Sequence, residues 1–422
     1  MKSCFSKPPD NKSARLARGP VETMNKQYLR ILYVCPDPGI PIFGRKGCST
    51  HVRETCKFLV QRNHTVHLIA ANPGEDFPPE TSFTYSFFKP FQMKALGKDV
   101  RLLLDNVHVM RKVLHSIRTL KPHIIYERYS LYSRITELLA RIYKIPRILE
   151  INSPLAYEQQ HRLRLPRLAQ IVENHIFLNA PYVIVVSNVI KEHLQSLGVP
   201  EDRIYIQPIA VDSQFFESAR FTPPAEIQER CKDRVVIGYV GTLLHYHRVH
   251  VLFDLARELT HRSLKVIFLM IGGEQQKVEK YQDMAKKEGL GDLFIFIGSI
   301  NYQNLPSYLE IMDIGIIPNT APWAAPTKMF EYAAMRKPII APDYPAIRNF
   351  IPAESEWLLF MPETLDGVPE KIERLVVDPA LRKHLGELNR RRVMDGFTWQ
   401  HYIDKFETIA HRALDSNKSS VQ

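Results

Sequence analysis

The sequence predicts an α/β protein of two Rossmann-like domains facing a central cleft, and three observations carry that prediction. Short, continuously apolar runs alternate with segments of helical apolar spacing, as parallel strands buried on both faces require, and the series occurs twice. A polar stretch containing Pro223-Pro224 lies between the two series. The 422 residues also exceed what one ordinary core accommodates, so two domains are expected.

Residues 1–27 are polar and basic, without apolar periodicity, and read as a disordered leader. A first domain is expected over 28–215. It opens with the apolar run Leu29–Cys35, a loop from Pro36 to Thr50 rich in proline and glycine, a helix over His51–Gln61 and the run Thr65–Ala70. The loop contains Gly44 and Gly47 but lacks the G-x-G-x-x-G spacing of a dinucleotide site. Residues 71–100 read as irregular, 101–119 as a basic amphipathic helix and 123–126 as a strand. A helix over 131–143, the strand Arg147–Ile151, a long helix over roughly 158–178 and the strands 182–186 and 204–206 complete the domain.

Residues 216–233 read as a linker. The second domain is expected over 234–396, with strands at 235–241, 264–271, 293–298 and 314–317 and another at Lys337–Ala341. A helical tail, interrupted around Gly396-Phe397-Thr398, makes 397–422 a helix crossing back, followed by a short tail.

Composition narrows the function. The chain is 45% hydrophobic but has no apolar run long enough to span a bilayer and no signal-peptide core, so a cytoplasmic protein is expected. Its five cysteines are scattered, with no C-x-x-C, which argues against a zinc site or disulfide framework. Residues 1–213 carry 30 Lys and Arg against 18 Asp and Glu, whereas the remainder carries 26 against 27. The basic half implies an anionic partner: a phosphorylated acceptor, a membrane surface or nucleic acid. The basic residues are not interleaved with an aromatic recognition motif, so nucleic acid is not expected. The segments 101–119 and His161–Leu168 mix basic residues with leucine, which suits either a membrane surface or a solvated helix face.

The stretch Pro322–Ala334 carries the most chemistry. A helix starting near Thr327 points backbone N–H groups outward with the positive end of its dipole, which suits a phosphate. Lys328 adds a mobile cation, and Glu331, one turn on, can accept two ribose hydroxyls. The alternative is a capped amphipathic helix with a surface Lys–Glu pair. Arg128 follows a strand and either faces the cleft or makes a structural ion pair. His51, behind the glycine loop, either approaches a phosphate or serves as a cap or core histidine. Asn152 lies in a loop at a strand's C-terminal edge, where doubly wound sheets bind ligands.

In this order the pieces resemble the retaining GT-B glycosyltransferases of family four, from Arg30 to Phe406. Gly44 to His51 resembles the N-terminal glycine loop and helix, and Arg62-Asn63-His64-Thr65-Val66 resembles the Arg-Gly-His-Glu-Val turn. Pro208-Ile209-Ala210-Val211-Asp212 resembles the segment ending the first domain, and Gly241 to Leu252 the loop opening the second. Pro326-Thr327-Lys328-Met329-Phe330-Glu331-Tyr332 resembles the donor motif. The resemblance implies a UDP- or GDP-linked sugar held by the second domain at Gly241, Pro326, Thr327, Lys328 and Glu331. The first domain would take an anionic acceptor, lipid-linked or glycan, beside Gly44, Gly47, His51 and Arg128. Arg248 and His247 fall where the family places phosphate-clamping cations, and they and Asn152 are the expected catalytic positions. No cofactor beyond the co-substrate and no metal is expected, since the chain has no D-x-D. The chain departs from the family at Trp323, where a sugar-contacting glutamate is expected, and at Asn152, where some members carry histidine. A transferase is the leading reading; a GT-B sugar-nucleotide epimerase and a non-catalytic nucleotide-sugar-binding protein stand beside it.

Overall fold

The computed structural model describes residues 28–76, 80–218, 222–362 and 364–419. The expected leader, residues 1–27, lies outside them. In chain order the strands are β1 (Arg30–Cys35), β2 (Pro41–Phe43), β3 (Thr65–Ala70), β4 (Asn72–Gly74), β5 (Thr84–Phe87), β6 (Ile124–Arg128), β7 (Arg147–Ile151), β8 (Tyr182–Val185) and β9 (Ile204–Ile206). They continue with β10 (Val235–Val240), β11 (Val266–Ile271), β12 (Phe294–Gly298), β13 (Ile314–Ile316), β14 (Ile339–Pro342) and β15 (Leu359–Phe360). One sheet runs β5-β3-β1-β6-β7-β8-β9, a second runs β12-β11-β10-β13-β14-β15, and β2 pairs with β4 alone. The pairings are parallel in both large sheets. These are two Rossmann-like domains.

Each sheet reverses its strand order once, between β1 and β6 and between β10 and β13. The loops leaving neighbouring strands diverge at such a point and open a crevice beyond the strands' C-terminal ends. The glycine loop follows β1 and Arg128 ends β6; the Gly241 loop follows β10 and the Pro322–Pro326 loop follows β13. These four predicted site segments therefore sit at switch points, and Asn152 follows β7, the next strand beyond β6.

Four local expectations need correction. Residues 84–87, read as irregular, form the edge strand β5, whose register sets His67 against Thr84 and Ala70 against Phe87. The helix expected over 158–178 is broken into Leu155–Glu158, a 3-10 turn at Gln160–Arg162 and Pro166–Asn179. Pro166 forces the break, because a proline ring pushes the residue before it out of helical geometry, and Leu165 sits at φ −123°. Within the expected linker, Pro224 caps a helix, Ala225–Cys231, whose Ile227 and Cys231 are buried in the second lobe's core. The helix expected over 131–143 is also shorter, Ile135–Ile142.

The helix Trp399–Ser419 returns to the first lobe and completes its core. Trp399, Tyr402, Ile403 and Phe406 share one buried cluster with Tyr33, Tyr126 and Ile148. The Trp399 indole stacks on Phe58 of the glycine-loop helix, with centroids 5.6 Å apart. The two chain crossings between the lobes are bonded to each other. Val211 N–H donates to the Phe397 carbonyl at 2.9 Å, and Trp399 N–H donates to the Val211 carbonyl at 3.0 Å.

Candidate active site

The second lobe's contribution is built on the helix Thr327–Ala334. Pro326 is its N-cap and Thr327 its first helical residue, and no side chain caps it. Every residue from Lys328 to Ala334 is buried, which rules out the surface Lys–Glu alternative. The burial follows from packing on two sides: Met329, Phe330 and Ala333 enter the core, while the Tyr332 hydroxyl accepts from Val240 N–H at 2.8 Å and fixes the helix against β10.

Lys328 is thus not the mobile cation expected. Its ammonium lies 4.2 Å from the Tyr239 ring centroid and has no hydrogen-bond acceptor. Burial lowers its pKa to about 7, with Glu331 pulling the other way. Burial raises Glu331 to about 7, opposed by Lys328 and by a hydrogen bond from Tyr302. Gly241 stands beside them at φ +148°, and a Cβ there would lie 2.6 Å from the Lys328 Nζ. Only glycine leaves that amine its place.

The two lobes meet at this helix start. A Cβ on Gly47 would come within 2.9 Å of the Thr327 hydroxyl, so the glycine loop of the first lobe abuts the first residue of the donor helix. Gly44 closes the preceding turn, its N–H donating to Pro41 O at 3.0 Å.

On the first lobe the structure gathers three predicted residues around one that the sequence did not single out, Glu150. Its Oε1 accepts from Arg128 Nη1 at 2.8 Å and from Asn152 Nδ2 at 2.6 Å, and lies 2.9 Å from His51 Nε2. Its Oε2 accepts from Tyr126 OH at 2.8 Å and Tyr33 OH at 3.0 Å. Tyr126 in turn meets Tyr402 of the crossing helix at 3.0 Å. Burial alone would raise the Glu150 pKa. Arg128 first, then His51, outweigh it and hold the carboxyl well below the usual carboxylate range. Arg128 thus makes the structural ion pair, not an open phosphate contact. The one available signal was a lone acid inside the apolar run of β7.

The first lobe also has a cavity of about 670 Å³, with walls from Phe87, Phe88 and Phe91 and cations at Lys89, Lys98 and Arg101.

Comparison with known proteins fits this geometry. The family described as glycosyl transferases group 1 matches residues 225–392, and the one described as glycosyltransferase family 4 matches residues 45–215. The chain is a GT-B glycosyltransferase. It is similar to alpha-D-kanosaminyltransferase of Streptomyces kanamyceticus, 23% identical over 258 residues, which are 59% of this chain and 66% of that one. It is also similar, over 87% of its length and 95% of the other, to the capsular polysaccharide biosynthesis glycosyltransferase CapM of Staphylococcus aureus, at 20% identity. Among solved structures, Anabaena HepE in complex with UDP superposes with a TM-score of 0.71 at 15% identity, over 91% of this chain and all of that one.

On the Gly241 loop of this glycosyltransferase the Arg248 guanidinium donates to the Pro362 carbonyl at 2.7 Å, from a residue at φ +51°. His247 does not supply a cation. Burial first, and then Lys328, lowers its pKa to about 3, and its Nδ1 is held by Tyr239 OH at 2.9 Å and by the Thr242 carbonyl. Among the described residues no three His, Cys, Asp or Glu are grouped to hold a metal.

Trp323 stands where the glutamate was expected and crosses the cleft. Its indole N–H donates to Ser153 Oγ at 3.1 Å, its carbonyl accepts from Ser187 Oγ at 2.8 Å, and its ring packs against Tyr157. Trp323→Ala should therefore remove a tie between lobes of this glycosyltransferase, lowering stability by about 1–2 kcal/mol. Urea unfolding followed by two probes should then separate into two transitions; a single transition at the wild-type midpoint would show that the indole ties nothing.

Proposed function

We propose that this glycosyltransferase moves a sugar from a nucleoside diphosphate donor, UDP- or GDP-linked, to an anionic glycan or lipid-linked acceptor in polysaccharide biosynthesis. We further propose that it retains anomeric configuration, needs no metal or other cofactor and works in the cytoplasm at the inner face of the membrane. One observation carries the reading: a buried ammonium with no acceptor, Lys328, stands in the first turn of a helix at a switch point. A buried cation in that place lacks an anion, and the N–H groups of the same turn point where a diphosphate would lie.

The roles follow. Lys328 and the first-turn amides neutralise charge on the departing diphosphate, Glu331 accepts the ribose hydroxyls, and Gly241 gives the ligand close backbone approach. As the bond from anomeric carbon to diphosphate oxygen breaks, the acceptor oxygen bonds that carbon on the same face. Its proton passes to the leaving phosphate. The Phe-lined cavity with Lys89, Lys98 and Arg101 suits the anionic end of the acceptor. The capsular and UDP-bound relatives support the polysaccharide and nucleotide parts of the reading. No comparison supports the epimerase or binding-module alternatives.

A thermal-shift panel tests the donor. UDP or GDP should raise the melting temperature with and without chelator, by the equivalent of about 2.7 kcal/mol at a hundredfold excess over Kd. If no nucleoside diphosphate shifts melting and no nucleotide sugar is consumed, the reading fails.

A further inference from the structure

Glu331 is held by a tyrosine that lies outside its own helix. Tyr302 opens the 3-10 turn Tyr302–Asn304, which follows β12. Its hydroxyl donates to the Glu331 carboxylate, and Glu331 is only 4% exposed. Lys328 makes no such bond, since its ammonium has no hydrogen-bond acceptor. A carboxylate offers roughly four lone-pair positions. Tyr302 takes one and limits the rotation of the group, and two ribose hydroxyls can take others.

The Tyr302 ring is held in its turn. It stacks on Phe215, with centroids 5.4 Å apart and planes 18° apart. Phe215 belongs to the helix Ser213–Ser218, in the crossing that carries the chain from the first lobe to the second. That helix is anchored to both lobes. Asp212 accepts from Phe215 N–H at 3.1 Å and lies 3.2 Å from Lys57 Nζ, and Lys57 also pairs with Glu54 at 3.1 Å. Phe216 is buried in the second lobe's core. Lys57 and Glu54 sit on the helix Gly47–Gln61, whose first residue abuts Thr327. A closed circuit results, from Glu331 through Tyr302, Phe215, Asp212 and Lys57 back to the start of the donor helix.

Packing alone does not call for this arrangement. Phenylalanine at 302 would stack on Phe215 equally well, but only a hydroxyl reaches Glu331. The stack fixes the plane of the phenol and with it the aim of the hydroxyl. Around the pair stand Lys328 and Tyr332 from the donor helix, Glu54 and Arg53 from the first lobe, and Asp212 from the crossing. We propose that Tyr302 is a positioning residue for ribose recognition, aiming Glu331 at the ribose hydroxyls, and that Phe215 keeps Tyr302 in place from the crossing between the lobes. This role rests on the donor reading given above. It makes ribose recognition depend on the crossing, where movement of the lobes bends the chain.

Titration calorimetry of the full chain with UDP, GDP and their 2′-deoxy counterparts tests it. Wild type should prefer the ribonucleotide. Tyr302→Phe keeps the ring and drops the hydroxyl, and should reduce that preference about tenfold, the effect of one hydrogen bond to a charged group. The lost bond is one that lowers the Glu331 pKa, so the acid limb of ribonucleotide affinity should move to higher pH. Phe215→Leu should reduce the preference about threefold. The double variant should fall no further than Tyr302→Phe alone, because both residues act through one carboxylate. The preference is a ratio taken within one preparation, so an unfolded fraction cancels. An unchanged preference and acid limb in Tyr302→Phe would overturn the role, and so would additive effects of the two substitutions. If wild type binds ribo- and deoxyribonucleotides equally, the ribose role of Glu331 and this one fall together while diphosphate binding stands. If no diphosphate binds at all, the donor reading falls and takes this role with it.

Discussion

Lys328→Met should lower kcat/KM for donor by about 10²–10³-fold, the loss expected when one charged contact to a developing oxyanion is removed. The same substitution should leave the unliganded protein as stable as wild type or more so. The amine is buried over the Tyr239 ring with no acceptor, so in the absence of ligand it is a desolvated group without compensation. Methionine keeps the length and drops the polar atom. Turnover at the wild-type rate would sink the assignment; lost turnover with a falling melting temperature would point to a structural lysine instead.

The pH dependence sharpens the same prediction. Lys328 serves a phosphate only when protonated, and that form declines as pH rises through about 7. Glu331 accepts ribose hydroxyls best when ionised, and that form declines as pH falls through about 7. Nucleotide affinity, measured by titration calorimetry, should therefore peak near neutrality. Lys328→Met should flatten the alkaline limb and Glu331→Gln the acid limb. A profile unchanged by either variant would rule out both roles.

Glu150→Ala should cost about 3–5 kcal/mol of stability, because it leaves the Arg128 guanidinium buried and unpaired. The hydroxyls of Tyr33 and Tyr126 and the Asn152 amide lose their acceptor as well. The sign of the pH effect follows from the depressed carboxyl. Its stabilisation is complete above its ordinary value of 4.5 and is lost as pH falls below that towards its folded value. Wild type should therefore lose more stability than the variant between neutral and acidic urea titrations. Equal losses at every pH would show that the carboxylate's charge contributes nothing.

How much of this was legible depended on the range of the interaction. The strands β1, β10 and β11 announce themselves because burial on both faces demands nearly unbroken apolar runs. The helix start at Thr327 was legible from its place between two such runs. What hides Lys328 and Glu331 was not, because Tyr239 and Tyr302 come from other strands and turns far along the chain. Glu150 went unnoticed for the same reason: its partners at 33, 51, 126 and 128 meet only when the sheet assembles. Arg248 shows the converse. Its charge was legible, but a left-handed backbone and the Pro362 carbonyl decide where that charge points.

The crossing helix has a consequence for the order in which the protein is made. The first lobe's sheet is finished at β9, yet Trp399, Tyr402 and Phe406 are still needed to seal its core. On the ribosome the whole second lobe emerges before them. The half of the molecule translated first is thus the half completed last, and its bare apolar face must wait through the codons from 207 to 398 at roughly 5–20 residues per second. A nascent chain in that state is a natural client for a chaperone, and a message truncated shortly before codon 399 would yield a sealed second lobe joined to a first lobe that never closes.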